Sequence, residues 1–157
     1  MPGSELATTL TLRRDPDNRR EWSIDGVGRV GRERLMSRDW YAHPVTGSRL
    51  VLHSTGFWRR RYSALNPAGG AEGEATTRRG LTGTWRGRAF GVRREGFWRA
   101  RAVLFDDDGD LALLRWGTWR RKDQAIETTG RPIDPGLLLF VVWAVQQRAT
   151  EEAAASA

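Results

Sequence analysis

Four short stretches bring tryptophan and cations together at one spacing: Gly56–Arg61, Gly83–Arg88, Gly96–Arg101 and Gly117–Lys122 all read Gly-x-Trp-Arg-x-Arg/Lys. Their cations are Arg59, Arg61, Arg86, Arg88, Arg99, Arg101, Arg120 and Lys122. A guanidinium is a rigid fork of N–H donors matched to phosphate and carboxylate oxygens, so the chemistry on offer is recognition of anions. Successive side chains of an extended strand point to opposite faces. Each copy, read as a strand, therefore puts its Trp on one face and its two cations on the other.

The charge is placed to match. Residues 56–122 hold 15 Arg/Lys against 7 Asp/Glu, the other 90 residues hold 11 against 12, and so the whole excess behind the net +7 lies in the repeat region. All but one of the 26 basic residues are Arg, which an Arg-rich codon usage explains as readily as a need for forked donors. Three partners suit such a face. Anionic lipid head groups gain about 1 kcal/mol per cation held near the surface. Nucleic acid would use the same cations for phosphates, with Phe57, Phe97 or Tyr62 stacking on bases; Phe57 and Phe97 fall on the Arg face by parity. The third reading is structural, with the arginines solvating an exterior and bracing cross-strand pairs with Glu74, Glu95 and Asp123.

Other constellations offer less. Gly26-Val-Gly28-Arg-Val-Gly31 matches G-x-G-x-x-G, yet no helix pattern follows and no acidic residue stands about twenty positions on, so no dinucleotide site and no cofactor is expected. Asp106, Asp108 and Asp110 alternate like the first ligands of an EF-hand loop, but Leu111 and Gly117 stand where that loop needs Gly and Glu. A hairpin turn is the stronger reading, and the three carboxylates remain the chain's metal candidate. His43 and His53, the only histidines, are placed on neighbouring hairpin strands and given structural roles. With no Cys, thiolate nucleophiles, disulfides and sulfur-ligated metals are excluded. Neither a nucleophile elbow nor a P-loop is present, so no enzyme is expected.

The elements that must position these residues are short. Strands are expected at 6–12, 21–24, 49–53, 57–65, 75–79, 84–93, 97–105, 111–116 and 118–129, with turns at Asp25-Gly26, 43–47 and 106–110 and a flexible loop over 66–73. These are nine, and with the hairpin partners implied by the turns at Asp25-Gly26 and 43–47 the count is about ten to twelve strands. The end of the chain departs from this pattern: Asp134 suits an N-cap, Pro135 the first helical position, and Leu137–Val145 is apolar at every residue. Nine residues rise only about 14 Å, half a bilayer's hydrocarbon core, so the helix is expected inside a protein core and no transmembrane span is read. A closed barrel of about twelve strands is too wide for its own side chains to fill, and this helix is the natural filler. The expected fold is mainly β, a closed antiparallel barrel of about 12 strands around a central hydrophobic C-terminal helix. One domain spans 21–150 with its core helix at 134–150, between a partly flexible segment 1–20 without a secretory signal and a disordered tail 151–157.

The hairpin across Asp106-Asp-Asp-Gly109, the Trp/Arg strands around it and Asp134-Pro-Gly-Leu-Leu-Leu-Phe-Val-Val-Trp143 resemble, over residues 20–148, the tubby C-terminal-like superfamily. That group includes tubby domains, phospholipid scramblases and LURP-one-related proteins, and the closing helix is similar to that of its small bacterial members. The resemblance implies a barrel threaded by its last helix and a non-catalytic, lipid-related role, since tubby domains bind phosphoinositide head groups through basic residues. The expectation is a cytoplasmic protein, peripheral at the membrane.

Overall fold

In the computed structural model, residues 8–17, 21–32, 39–56, 60–77, 80–95, 101–115 and 124–155 are described. Among them, alternating short apolar and polar runs form twelve strands: β1 (Thr9–Arg14), β2 (Glu21–Ile24), β3 (Gly28–Gly31), β4 (Trp40–Pro44), β5 (Leu50–Thr55), β6 (Arg61–Leu65), β7 (Ala71–Thr76), β8 (Leu81–Trp85), β9 (Arg88–Glu95), β10 (Arg101–Asp106), β11 (Gly109–Arg115) and β12 (Gln124–Thr128). Each strand pairs antiparallel with its sequence neighbours, and β1 closes the ring by pairing with β12. One helix, α1 (Pro135–Ala155), follows.

The helix occupies the barrel. Residues Leu138 to Ala144 are each at most 3% exposed, which on a helix requires protein on every side. Phe140 stacks on Trp85 of β8 with ring centroids 5.6 Å apart and meets Phe90 of β9 edge-on at 6.4 Å. Trp143 takes Tyr62 of β6 edge-on at 5.6 Å. Room for Trp85 comes from two absent side chains: a Cβ on Gly73 or on Gly136 would stand 2.3 Å or 2.8 Å from its ring. The pattern that predicts a filled barrel is thus realised, with an aromatic wall packed on the apolar helix.

Four local differences from the sequence reading have physical reasons. The strand expected at 6–12 is present as β1 but runs over 9–14, and this part of the segment 1–20 is fixed in the sheet rather than flexible, because the ring cannot close without a strand between β12 and β2. Gly26–Gly31 supplies the turn and second strand of the β2–β3 hairpin: Gly26 takes φ +76° in the turn, and a Cβ on Gly28 would stand 2.3 Å from the His43 carbonyl oxygen and 2.9 Å from Leu139 of the helix. The expected strand over 84–93 is two strands, turned at Arg86-Gly87, both with positive φ as a two-residue hairpin demands. Finally α1 continues through residue 155, past the expected end at 150. There Tyr62 donates its hydroxyl to Glu151 Oε2 at 3.2 Å, and Arg60 pairs with the other carboxylate oxygen at 2.6 Å.

The strand registers give the barrel two ends. One holds the β2–β3, β4–β5, β6–β7, β8–β9 and β10–β11 turns and the start of α1; the opposite end receives the helix C-terminus.

Candidate functional site

The eight cations of the repeats do not form one patch among the described residues. Arg59, Arg99, Arg120 and Lys122 lie outside them, as do Trp58, Trp98, Trp119, Phe57, Phe97 and Asp123. The other four divide between the barrel ends. Arg86 and Arg88 flank the β8–β9 turn beside the helix N-terminus, whereas Arg61 opens β6 and Arg101 opens β10 at the end that the helix runs toward.

At the N-terminal end the cations are neutralised. Arg86 donates from Nε to Glu72 at 2.9 Å and from Nη1 to Asp134 at 2.9 Å, and the hydrogen bond to Glu72, reinforced by the Asp134 charge, raises its pKa. Asp134 also caps α1, its Oδ1 accepting from Gly136 N at 2.8 Å. Arg88 reaches Asp108 at 3.3 Å and Asp106 at 3.9 Å. Both arginines rim a cavity of about 200 Å³ floored by Trp85, Phe90 and Leu137.

The carboxylates of the β10–β11 hairpin are likewise engaged by arginine. Arg131 donates to Asp106 at 2.9 Å, and Arg93 pairs with Asp110 at 3.0 Å. Burial pushes the Asp106 carboxyl up, but the Asp108 N–H, Arg131 and Arg88 together outweigh it and hold the group below its ordinary value. Among the described residues no cluster of three or more His, Asp or Glu side chains is gathered as a cation site. Asp106, Asp108 and Asp110 instead form the acidic half of an ion-pair network.

At the other end Arg61 and Arg101 are exposed, and neither has an ion-pair partner among the described residues. Tyr62, expected as a stacking partner for bases, faces the core with no exposed surface and is spent on Trp143 and Glu151. Burial, with the Glu151 carboxylate close by, raises its pKa. Of the expected bracing acids, Glu95 pairs with Arg93 at 3.2 Å. His43 and His53 stand on the adjacent strands β4 and β5, and His53 Nδ1 pairs with Asp39 Oδ1 at 2.7 Å.

A third basic locus involves none of the repeat cations. The outer wall of β2–β4 places Arg29, Arg32 and Arg49 around Tyr41, His43 and Gly31. The signal for it is the period-two pairing of Arg29 and Gly31 with Tyr41 and His43, hidden because Gly26–Gly31 looks like a phosphate-loop fragment and 43–47 like a turn.

No family-level sequence model matches the chain, and no similar curated protein or solved structure is found. No helix among the described residues is long and apolar enough to cross a membrane.

Proposed function

We propose that this chain is a non-catalytic barrel domain that docks peripherally on anionic lipid head groups, through the barrel end at which α1 terminates. The observation that carries this reading is the state of the repeat cations: Arg61 and Arg101 are exposed and unpaired among the described residues, while Arg86 and Arg88 are engaged by Glu72, Asp134, Asp106 and Asp108. A cation already neutralised has little left to give a phosphate, whereas one held in water near a negative surface contributes about 1 kcal/mol. The resemblance to tubby-like barrels points the same way, and a cytoplasmic, membrane-peripheral location goes with it. Burial of Tyr62 takes one stacking partner from the nucleic-acid alternative.

Sedimentation with liposomes of graded anionic content tests this. Binding should rise with anionic fraction and fall with salt, and Arg61→Glu with Arg101→Glu should weaken it at least tenfold, while Arg88→Glu changes it little. Indifference to anionic vesicles at low salt would sink the proposal. A salt-sensitive shift of nucleic acid in its place would move the same cations to the second partner.

A further inference from the structure

The barrel end where α1 begins holds a recess that its ion pairs surround without filling. Trp85 of β8, Phe90 of β9, Leu111 of β11 and Leu137 of α1 form the floor, each at most 8% exposed, and Pro132 and Ile133 of the segment leading to α1 form one wall. The rim carries Arg86, Arg88, Asp106 and Asp134. This recess is separate from the groove of the β2–β4 wall, which Glu21 also lines, and from the end proposed to meet lipid.

We propose that this recess binds a small uncharged ring compound, one or two rings in size, with a hydrogen-bond acceptor beside the ring. Size is the first argument. About 200 Å³ is open here, whereas an apolar cavity of about 150 Å³ admits benzene and drug-sized ligands occupy roughly 300 Å³ or more. Charge is the second. The two rim guanidiniums face the two rim carboxylates, Arg86 with Asp134 at 2.9 Å and Arg88 with Asp106 at 3.9 Å, and Glu72 and Asp108 engage the same arginines from outside the recess. An ion of either sign would therefore leave water for an apolar floor with no partner of its own, and affinity has to come from contact with the Trp85 and Phe90 rings. The third argument is a donor that folding leaves unanswered: Trp85 is only 4% exposed, and its Nε1–H meets no acceptor. Its Cζ2, joined to Nε1 through one ring carbon, is turned to the first turn of α1, 2.8 Å from where a Cβ on Gly136 would stand. A ligand oxygen placed there gives the indole N–H its missing partner. The walls are held before any ligand arrives, since Arg86 ties Glu72 of β7 to Asp134, and Arg131 ties the segment before α1 to Asp106 at 2.9 Å, which keeps the ordering cost of binding low.

Benzyl alcohol, titrated into the full chain at constant ionic strength, is the probe, and the tryptophan indole N–H NMR signals are the readout, with Trp85 assigned from Trp85→Phe. The Trp85 signal should shift saturably, while that of Trp22, buried on β2 outside the recess, stays in place. Benzoate and benzylammonium put a charge of either sign on the same ring and should bind at least about fivefold more weakly. Ala89→Trp, at an exposed position lining the recess, should weaken binding of the alcohol about tenfold or more while keeping the thermal transition. Leu137→Trp fills the recess from its floor and should do the same; if that variant loses its thermal transition, Ala89→Trp alone decides. Arg61→Glu with Arg101→Glu should leave the response intact, so a failure here and a failure of the lipid reading are told apart. A Trp85 signal that does not move, or moves in step with Trp22, overturns the proposal. So does a charged probe that binds as tightly as the alcohol, or an Ala89→Trp variant that binds it unchanged.

Discussion

The two ends of the barrel carry cations from the same sequence repeat and treat them oppositely. Where α1 begins, Arg86 links β7, the β8–β9 turn and the helix cap through Glu72 and Asp134, and Arg88 faces Asp106 and Asp108. Where α1 ends, Arg60 is taken by Glu151, while the neighbouring Arg61 and, on β10, Arg101 look into solvent. Charge density in the sequence is therefore a poor guide to charge available for binding. What decides is whether the ring brings an acid from elsewhere in the chain against each guanidinium, and here it does so chiefly where the helix must be anchored.

The largest effect should come from breaking the element that joins the two ends. Trp143 has no exposed surface and packs on Tyr62 and Phe140 in the middle of the helix. Trp143→Ala should cost about 3–5 kcal/mol, much of a typical domain's stability, and Trp143→Asp should abolish cooperative folding as followed by circular dichroism. A soluble Asp variant with a native thermal transition would mean that the helix does not fill the barrel.

A smaller change separates capping from charge pairing at the anchored end. Asp134→Ala removes both the N-cap acceptor and one partner of Arg86, for a loss of about 1 kcal/mol, some 2–4 °C in Tm for a chain of this size. Asp134→Asn keeps an N-cap of similar quality and removes only the charge, so it should cost less. Because Arg86 is half exposed, its ion pairs should account for the smaller part of the difference. Equal losses in the two variants would reverse that order and make pairing the main role of Asp134.

The barrel was legible in the sequence because its causes are local: alternation marks strands, Asp-Gly marks turns, and an unbroken apolar run behind Asp134-Pro135 marks a buried helix. Where those local signals conflict, the reading slipped. Glycines at 26, 28 and 31 hide β3, and Arg86-Gly87 inside an apparent strand hides a hairpin. The sites were less legible, since they depend on pairs remote in sequence. Asp134 lies 48 positions from Arg86, and the wall groove takes one or two residues from each of several strands. Spacing within one segment carries no trace of such partners.

The smallest effect tests how burial and charge act on His43 at the β2–β4 wall. Partial burial first, and then the charges of Arg29 and Arg49, lower the pKa of His43 from 6.5 in the folded protein. The unfolded chain then binds a proton there more readily than the native one, so this residue's contribution to stability is fully present above pH 6.5 and declines as pH falls through the lowered folded value. Glu21 across the groove opposes the shift, and Glu21→Gln should therefore steepen the decline, whereas His43→Gln should flatten it. Denaturant midpoints measured between pH 8 and pH 5 check both. A wild-type profile gaining stability toward pH 5 through His43 would require Glu21 to outweigh burial and the two guanidiniums together, and would overturn the placement of His43 among them.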